Sequence, residues 1–316
     1  MPDLDVLVLG DANPDLVLRG DVEPAFGQQE KLVDHALLTV GGSAAIFACA
    51  AAKLGLRVAI SSVVGDDPFG RFMVDELSVN GVDVSGVAVD PVTPTGVTVV
   101  LSRPDDRAML TAAGTIESLT EARVDRDLLG SARHVHIPSY FLQAGLRPGL
   151  PALFKEAHAA GATTSVDPNW DPIEEWDGGL LALLQEVDVF LPNSAEARLI
   201  TGIDDIDVAA ESLAGRGGIV SIKFGDGGGM VQRADGDAVR MAGIYVDVAD
   251  TTGAGDAFDA GFLMGFLEGW PLERALAFAN VCGGLSCRAA GGTDAQPTRE
   301  EAMARVPEIL GRVAPP

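Results

Sequence analysis

From Asp5 onward the chain alternates short apolar runs with helix-length segments that stop at glycine, and few architectures accept that pattern. Asp5-Val6-Leu7-Val8-Leu9-Gly10 reads as a buried strand ending on glycine. Residues 43–54 are alanine-rich and helical, stopped by Gly55; residues 57–64 form the next strand; a helix from Pro68 to Asn80 is closed by Gly81. The alternation returns with strands expected at 133–137, 163–167, 187–191 and 219–224 and helices at 148–160, 179–186, 194–201 and 207–215. The end is expected to be helical over 256–268, 271–288 and 298–312. Strands separated by helices call for a mostly parallel sheet covered on both faces, an α/β fold of three layers.

Two stretches interrupt this rhythm. Residues 11–40 and 91–112 contain strand-like runs, such as Thr95-Gly96-Val97-Thr98-Val99-Val100-Leu101, with turn residues and no helix between them. They are expected to pair into a small sheet outside the main one. The expected division is therefore a core of 1–10, 41–90 and 113–316 and a β lid of 11–40 and 91–112. Residues 229–249 read as further antiparallel strands.

Composition narrows the partners. Of 316 residues, 46 are acidic and 22 are Lys or Arg, for a formal net charge of −24. Nucleic acid and anionic membrane surfaces, which need Lys and Arg patches, are excluded as general partners; a single small anion held in a local site is not. Cys49, Cys282 and Cys287 are too few and scattered for a disulfide framework. The start, Met1-Pro2-Asp3-Leu4-Asp5, has no basic segment, and no uncharged apolar run reaches ~18 residues. The expectation is a soluble cytoplasmic protein.

The string Asp250-Thr251-Thr252-Gly253-Ala254-Gly255-Asp256-Ala257-Phe258 carries the chemistry. Small residues 253–255 before an apolar helix present successive backbone N–H groups, an anion hole that needs no basic side chain. Asp256, in the first turn, cannot neutralise a phosphate, but it can accept a proton from a hydroxyl that attacks one. Anion hole and adjacent base are the minimum apparatus for phosphoryl transfer to an alcohol. The plainer role, an acidic residue stabilising a helix start by ~0.5–2 kcal/mol, explains less of the string.

This string resembles the second signature of the ribokinase-like, or pfkB, family of carbohydrate and nucleoside kinases. The first signature is recognisable in Gly41-Gly42-Ser43-Ala44-Ala45, followed by the helix to Leu54-Gly55 and by Val64-Gly65-Asp66-Asp67-Pro68-Phe69-Gly70. The resemblance spans nearly the whole chain and implies a ribokinase-like three-layer α/β/α core, ATP and Mg2+ as cofactors, and phosphorylation of a sugar or sugar-like hydroxyl. Asn13-Pro14-Asp15 is similar to the family's sugar-holding Asn-x-Asp; an Asx turn around Pro14 is the other role open to it. Gly41 and Gly42 correspond to the pair that touches the sugar, and Ile46 stands where the family often has a sugar-binding Asn. Asn193-Ser194-Ala195-Glu196 resembles the family's Asn-x-x-Glu, implying Asn193 and Glu196 behind the waters of Mg2+; the same residues read as an N-cap with its partner Glu. Gly225 and Gly228 resemble the turn beneath the nucleotide, with Lys223 either near the triphosphate or a strand-end charge. Thr252, Gly253 and Gly255 are implied beside the phosphates and Asn280 beside the adenine, where Ala277 and Val281 form an apolar wall or simply core. Asp250 and Thr252, with Gly291-Gly292, occupy places that in some relatives bind a monovalent cation, which adds K+ to the implied set. Many relatives are homodimers through their lids, and a homodimer is expected.

A nucleoside kinase of the same fold is the alternative, favoured by Ile46 and by Tyr140-Phe141 near a strand end. A catalytically silent sugar-binding regulatory protein is the alternative of another class; the intact Asp256 string argues against it. No Gly-x-x-x-x-Gly-Lys-Ser/Thr occurs, which excludes a Walker-type ATPase. His134-x-His136 lacks further ligands for zinc. Asp167-Pro168-Asn169 ends a strand and either joins the metal-water network or caps a turn. Trp170 and Trp176 read as packing residues. Arg103 and Arg107, in the lid, either close over a substrate or an anionic group or lie on a solvated hairpin.

Overall fold

The computed structural model describes residues 3–103 and 106–311. Residues 1–2, 104–105 and 312–316, which belong to the expected core, lid and final helix, lie outside the described residues. The strands are β1 (Val6–Leu9), β2 (Asn13–Arg19), β3 (His35–Gly41), β4 (Val58–Gly65), β5 (Asp83–Asp90), β6 (Val97–Ser102), β7 (Arg107–Ala112), β8 (His134–Ile137), β9 (Thr163–Val166), β10 (Val189–Phe190), β11 (Ile219–Lys223), β12 (Gly229–Arg233) and β13 (Ala238–Met241). The helices are α1 (Ser43–Lys53), α2 (Pro68–Val79), α3 (Arg126–Ser131), α4 (Leu150–Ala159), α5 (Leu180–Leu183), α6 (Ser194–Thr201), α7 (Ile206–Ala214), α8 (Ala254–Leu267), α9 (Leu272–Ser286), α10 (Arg299–Arg305) and α11 (Pro307–Leu310).

Two sheets result, one ordered β13-β12-β11-β10-β9-β8-β1-β4-β5 and a smaller one ordered β3-β2-β6-β7. The large sheet is parallel from β11 to β5; β12 and β13 extend it antiparallel at one edge. The uninterrupted apolar run of β1 follows from having helices on both sides. Successive side chains point to opposite faces, so Val6 and Val8 join a core with α1, α8 and α9, while Leu7 and Leu9 join a second core with α4, α5 and α7.

Three segments differ from expectation. β5 is an added edge strand beside β4; its Asp83-Val84-Ser85-Gly86 start is half exposed and lacks the apolar run of a central strand. The expected strand character of 229–249 ends with β13, and residues 242–248 run without strand pairing. The final helix is broken into α10 and α11 at Pro307, which has no amide hydrogen to continue the ladder.

β1 lies between β8 and β4, so the chain builds the sheet outward in both directions from it. In such open sheets the crevice at the carboxyl ends of the strands receives ligands, and Asp11, Asp167, Asn193 and Lys223 all sit there. α8, which starts on the same side, is held to α9 by small residues. A Cβ on Gly261 would lie 3.0 Å from both Ala279 Cα and Cys282 Sγ, and one on Gly265 2.8 Å from Ala275 Cβ. Overpacking such a crossing costs about 1–3 kcal/mol. Gly261→Leu is therefore expected to lower the unfolding free energy by about 2 kcal/mol or more in denaturant titrations; an unchanged midpoint would show that the helices part without cost.

Candidate active site

The N-terminus of α8 is shaped by Gly253, whose φ of 74° lies in the left-handed region. A Cβ there would also meet Ile46 Cγ2 at 2.7 Å and the Gly292 carbonyl at 2.8 Å, so neither the conformation nor the space admits a side chain. One member of the expected amide set at 253–255 is engaged in a turn. The Ala254 N–H already donates to the Thr251 carbonyl at 3.2 Å, and the first helical bond runs from Ala257 N to Gly253 O at 2.9 Å. Among the described residues, the amides of Gly253, Gly255 and Asp256 are left without a backbone acceptor. Asp256 is buried beside them; burial, then the negative Asp167 nearby, push its carboxyl well above the ordinary range, while Lys223 and the Ser43 hydroxyl pull the other way.

On the lid side, Asn13 and Asp15 are the first residues of β2 and reach the crevice together with Asp11 from the end of β1. The first-signature glycines make room for these side chains. A Cβ on Gly41 would fall 2.1 Å from Asp15 Oδ1, and one on Gly42 2.7 Å from Asp11 Oδ2 and 2.8 Å from Asn13 Oδ1. Asn13 Oδ1 is buried without a donor among the described residues. Asp11 accepts from Gln143 Nε2 and the Ala44 amide, both at 3.4 Å. Asn169 Nδ2 donates to the hydroxyls of Ser43 at 3.1 Å and Ser139 at 3.0 Å. Asp11, Ser43, Ser139, Gln143 and Asn169 thus stand beside the expected residues; of these, Ser43 carried a sequence signal as part of the first signature and Asn169 through its place after a strand end. Ile46 packs on Gly253 and Gly292, and Tyr140 and Phe141 lie in the second core. None of the three offers a face to a nucleobase.

Behind Asp256 lies a buried ion cluster. Lys223 Nζ donates to Asp167 Oδ2 at 2.7 Å and to both oxygens of Asp259 at 3.0 and 3.1 Å. Burial disfavours its charge, but Asp167, Asp259 and Glu196 outweigh that and hold it protonated. Lys223 is therefore not a free strand-end charge. A Cβ on Gly255 would still lie 3.8 Å from its Nζ, so the ammonium stands just beneath the anion hole. Asn193 and Glu196 form a complete capping box for α6. Asn193 Oδ1 accepts from the Ala195 and Glu196 amides at 2.9 Å, and the Asn193 amide donates to Glu196 Oε2 at 2.8 Å. Burial, with Asp167 nearby, pushes the Glu196 carboxyl up to about 7.

A cavity of about 600 Å³ opens beside this cluster. It is lined by Lys223, Gly225 and Gly228, by Ile244, Val246 and Val248 of the unpaired 242–248 segment, and by Gly255, Phe258 and Asn280. Asn280 Nδ2 donates to the carbonyls of Met241 and Ala242, both at 3.2 Å, and so ties α9 to this wall. Ala277 and Val281 are core.

Asp250 and Thr252 precede Gly253 on the way into α8, flanking Thr251, which lines the cavity. The Asp250 carboxylate accepts from the Thr252 amide at 2.9 Å, the Thr252 hydroxyl at 2.7 Å and the Gly291 amide at 3.2 Å, and it meets Arg19 and Arg107 of the small sheet. His134 and His136 share the Ser165 hydroxyl, at 2.6 and 2.7 Å, inside the core.

Comparison with known proteins follows the same lines. A model of the pfkB family of carbohydrate kinases matches residues 3–299. An ATP-dependent ribose-1-phosphate kinase of Halopiger xanaduensis is 33% identical over 305 residues, 96% of this chain and 98% of that one. A 2-dehydro-3-deoxygluconokinase of Bacillus subtilis is 32% identical over 281 residues, 83% of this chain and 85% of that one. An E. coli protein provisionally assigned as ribokinase II, solved with ATP and Mg2+, superposes with a TM-score of 0.85 at 25% identity, over 96% of this chain and 99% of that one.

The acidic crevice has a measurable consequence. Burial and the neighbouring Asp11 push the Asp15 carboxyl up to about 7, against the pull of Arg107. Between the ordinary value and about 7, the folded chain keeps a proton that the unfolded chain releases, so this group's contribution to stability is lost as pH rises through that window. Asp15→Asn removes the loss. In thermal melts its gain in Tm over the wild type is expected to be largest near about pH 8 and to shrink toward about pH 4; a gain independent of pH would contradict a buried, proton-holding carboxyl.

Proposed function

The chain belongs to the pfkB family of carbohydrate kinases, and from that premise we propose that it transfers the γ-phosphoryl group of ATP to a hydroxyl of a sugar or sugar-like alcohol. The observation that carries this reading is the buried Asp256 carboxyl beside the unsatisfied amides of Gly253 and Gly255. Asn13 and Asp15, with the Gly41–Gly42 backbone, hold the acceptor's hydroxyls. The acceptor oxygen attacks the γ-phosphorus as Asp256 takes its proton. The new O–P bond forms while the bond to the β–γ bridging oxygen breaks, and ADP leaves with that electron pair. The amides of Gly253, Gly255 and Asp256 meet charge on the transferred group, a preorganised donor set of the kind that dominates such catalysis.

The cavity of about 600 Å³ suits a nucleoside, with apolar Ile244, Val246 and Phe258 against the base and Asn280, Gly225 and Gly228 around it. Lys223 and Thr251 line it beside Gly255, at its proposed phosphate end, with Thr252 one residue on. Mg2+ supplies neutralisation of the phosphate charge when bound. Glu196 fits it through water: both carboxylate oxygens already accept from Asn193, and the buried acid next to Asp167 gains from a nearby cation. A requirement for K+ at Asp250 and Thr252 is poorly supported, because Arg19 and Arg107 already bring positive charge there.

Residues 11–40 and 91–112 act as the lid that excludes water. The lid's outer face carries exposed Leu38 and Leu110 with half-buried Leu16, Leu18, Val99 and Leu101, and a second copy of the chain covers it in the proposed homodimer. Equilibrium sedimentation is expected to give twice the chain mass, and a monomer at micromolar concentration would reject this. No described helix is long and apolar enough to cross a membrane; the proposed setting is the cytoplasm, where ATP and Mg2+ are supplied.

Asp256→Asn keeps the shape but not the base. In an ADP-release assay its kcat is expected to fall about 10³-fold with the cooperative fold retained; a folded variant retaining most of its rate would remove Asp256 from the mechanism. In the same assay, omission of Mg2+ should abolish turnover, and replacement of K+ by tetramethylammonium should leave it intact.

A further inference from the structure

The sheet that carries Asn13 and Asp15 also carries two arginines that the phosphoryl-transfer step does not use. Paired residues on neighbouring strands stand on one face of a sheet, and alternate residues of a strand share that face. Asp15 is paired with Thr98, Arg19 with Ser102, and Ser102 in turn with Arg107. Arg19 and Arg107 therefore share the face of Asn13 and Asp15. Between the two rows lie Val17 and Val100, both buried, so this is the face turned toward the core.

The two guanidinium groups converge. Arg107 Nη1 donates to Thr252 Oγ1 at 2.7 Å and lies 3.4 Å from Asp250 Oδ1, while Arg19 Nη2 lies 3.5 Å from Asp250 Oδ2. One carboxylate thus faces two guanidinium groups. Asp250 has three other donors, from Thr252 and Gly291, and does not depend on the arginines for its hydrogen bonds. Arg19 Nε is buried and has no acceptor among the described residues. A guanidinium nitrogen without an acceptor among the described residues, beside a second guanidinium, favours a planar or tetrahedral oxyanion, which arginine binds through paired N–H groups. The crevice is polarised accordingly. Its deep end holds Asp11, Asn13 and Asp15, which suit hydroxyl donors, and its mouth holds the arginines. In a chain of net charge −24, this inward placement of positive charge is not a general surface property.

We infer that Arg19 and Arg107 bind an anionic group of the acceptor, a phosphate ester or a carboxylate remote from the phosphorylated hydroxyl, and so select anionic sugars over neutral ones. The inference rests on the kinase reading above and adds the substrate class. Because Arg107 comes from the lid and touches Thr252 beside the anion hole, the recognised anion also bridges the lid to the start of α8.

The test pairs substrates by chemistry. ADP release is measured with Mg-ATP and a neutral pentose or hexose, the same sugar as a phosphate ester, and the corresponding sugar acid. One anionic form is expected to exceed its neutral counterpart in kcat/KM by about 100-fold, and which of the two does so identifies the anion. In Arg19→Ala and Arg107→Ala this preference is expected to fall about 10-fold or more, chiefly through KM, with partial recovery in Arg107→Lys. Neutral sugars used as well as anionic ones, or a preference that survives in the double alanine variant, would overturn the inference. If no sugar yields ADP, the kinase reading fails. Calorimetry then decides the arginine site separately: an anionic sugar bound by the wild type and lost in a folded double variant upholds it, and equal or absent binding rejects it.

Discussion

The site is organised around one buried cation. Lys223, at the end of β11, holds Asp167 from the end of β9 and Asp259 from the second turn of α8. The contact pins α8 to the carboxyl edge of the sheet at a fixed height, and every functional element of α8 inherits that position. Removing one partner of such a pair leaves an uncompensated buried charge, at a cost of about 3–5 kcal/mol. The cluster is also unbalanced. One ammonium meets Asp167 and Asp259 with Glu196 and Asp256 close by. Lys223 draws the Asp167 carboxyl below its ordinary range against the effect of burial, whereas burial leaves Asp256 and Asp259 well above theirs. An acid kept in this state is a strong proton acceptor once a cation or substrate restores the balance.

The same unevenness of charge explains how so acidic a chain can handle polyanions. The phosphates need not meet a basic surface. In the proposed mechanism they meet backbone amides at the start of α8, whose dipoles are fixed by the helix and cost no side-chain ordering. Positive side chains are spent sparingly and at depth. Lys223 sits beneath the anion hole, and Arg19 and Arg107 approach from the small sheet. The glycines of the first signature serve this economy, because a Cβ at Gly41 or Gly42 would occupy the space of Asp15, Asp11 and Asn13.

Local sequence patterns were legible wherever one short stretch contains both the cause and the effect. The left-handed Gly253, the start of α8, the Asn193–Glu196 cap and the paired strands of the small sheet are all of this kind. The engagement of the Ala254 N–H was not legible, because the turn to Thr251 that takes it depends on the path of the chain into the helix. The edge strand β5 escaped notice because an edge needs no continuous apolar run. Residues 242–248 have the composition of a strand but form a cavity wall, since Gly228 packs against Met241 and Ala242 and turns the chain away from the sheet. Ile46 was legible as a departure from the family's polar residue, but not as the side chain that fills the space over Gly253.

By itself the sequence determined the layered α/β architecture, the extra small sheet and the glycine-led start of α8, because periodicity and glycine placement act over a few residues. Only the tertiary structure decided what Lys223, Asp167 and Asp259 do, why Asp11 and Gln143 belong to the site, and where Arg19 and Arg107 point. Those residues lie far apart along the chain, and their charges act only through distances that packing sets. A carboxylate has an ordinary affinity for protons until burial and neighbours change it, and neither burial nor neighbours are local properties of a sequence.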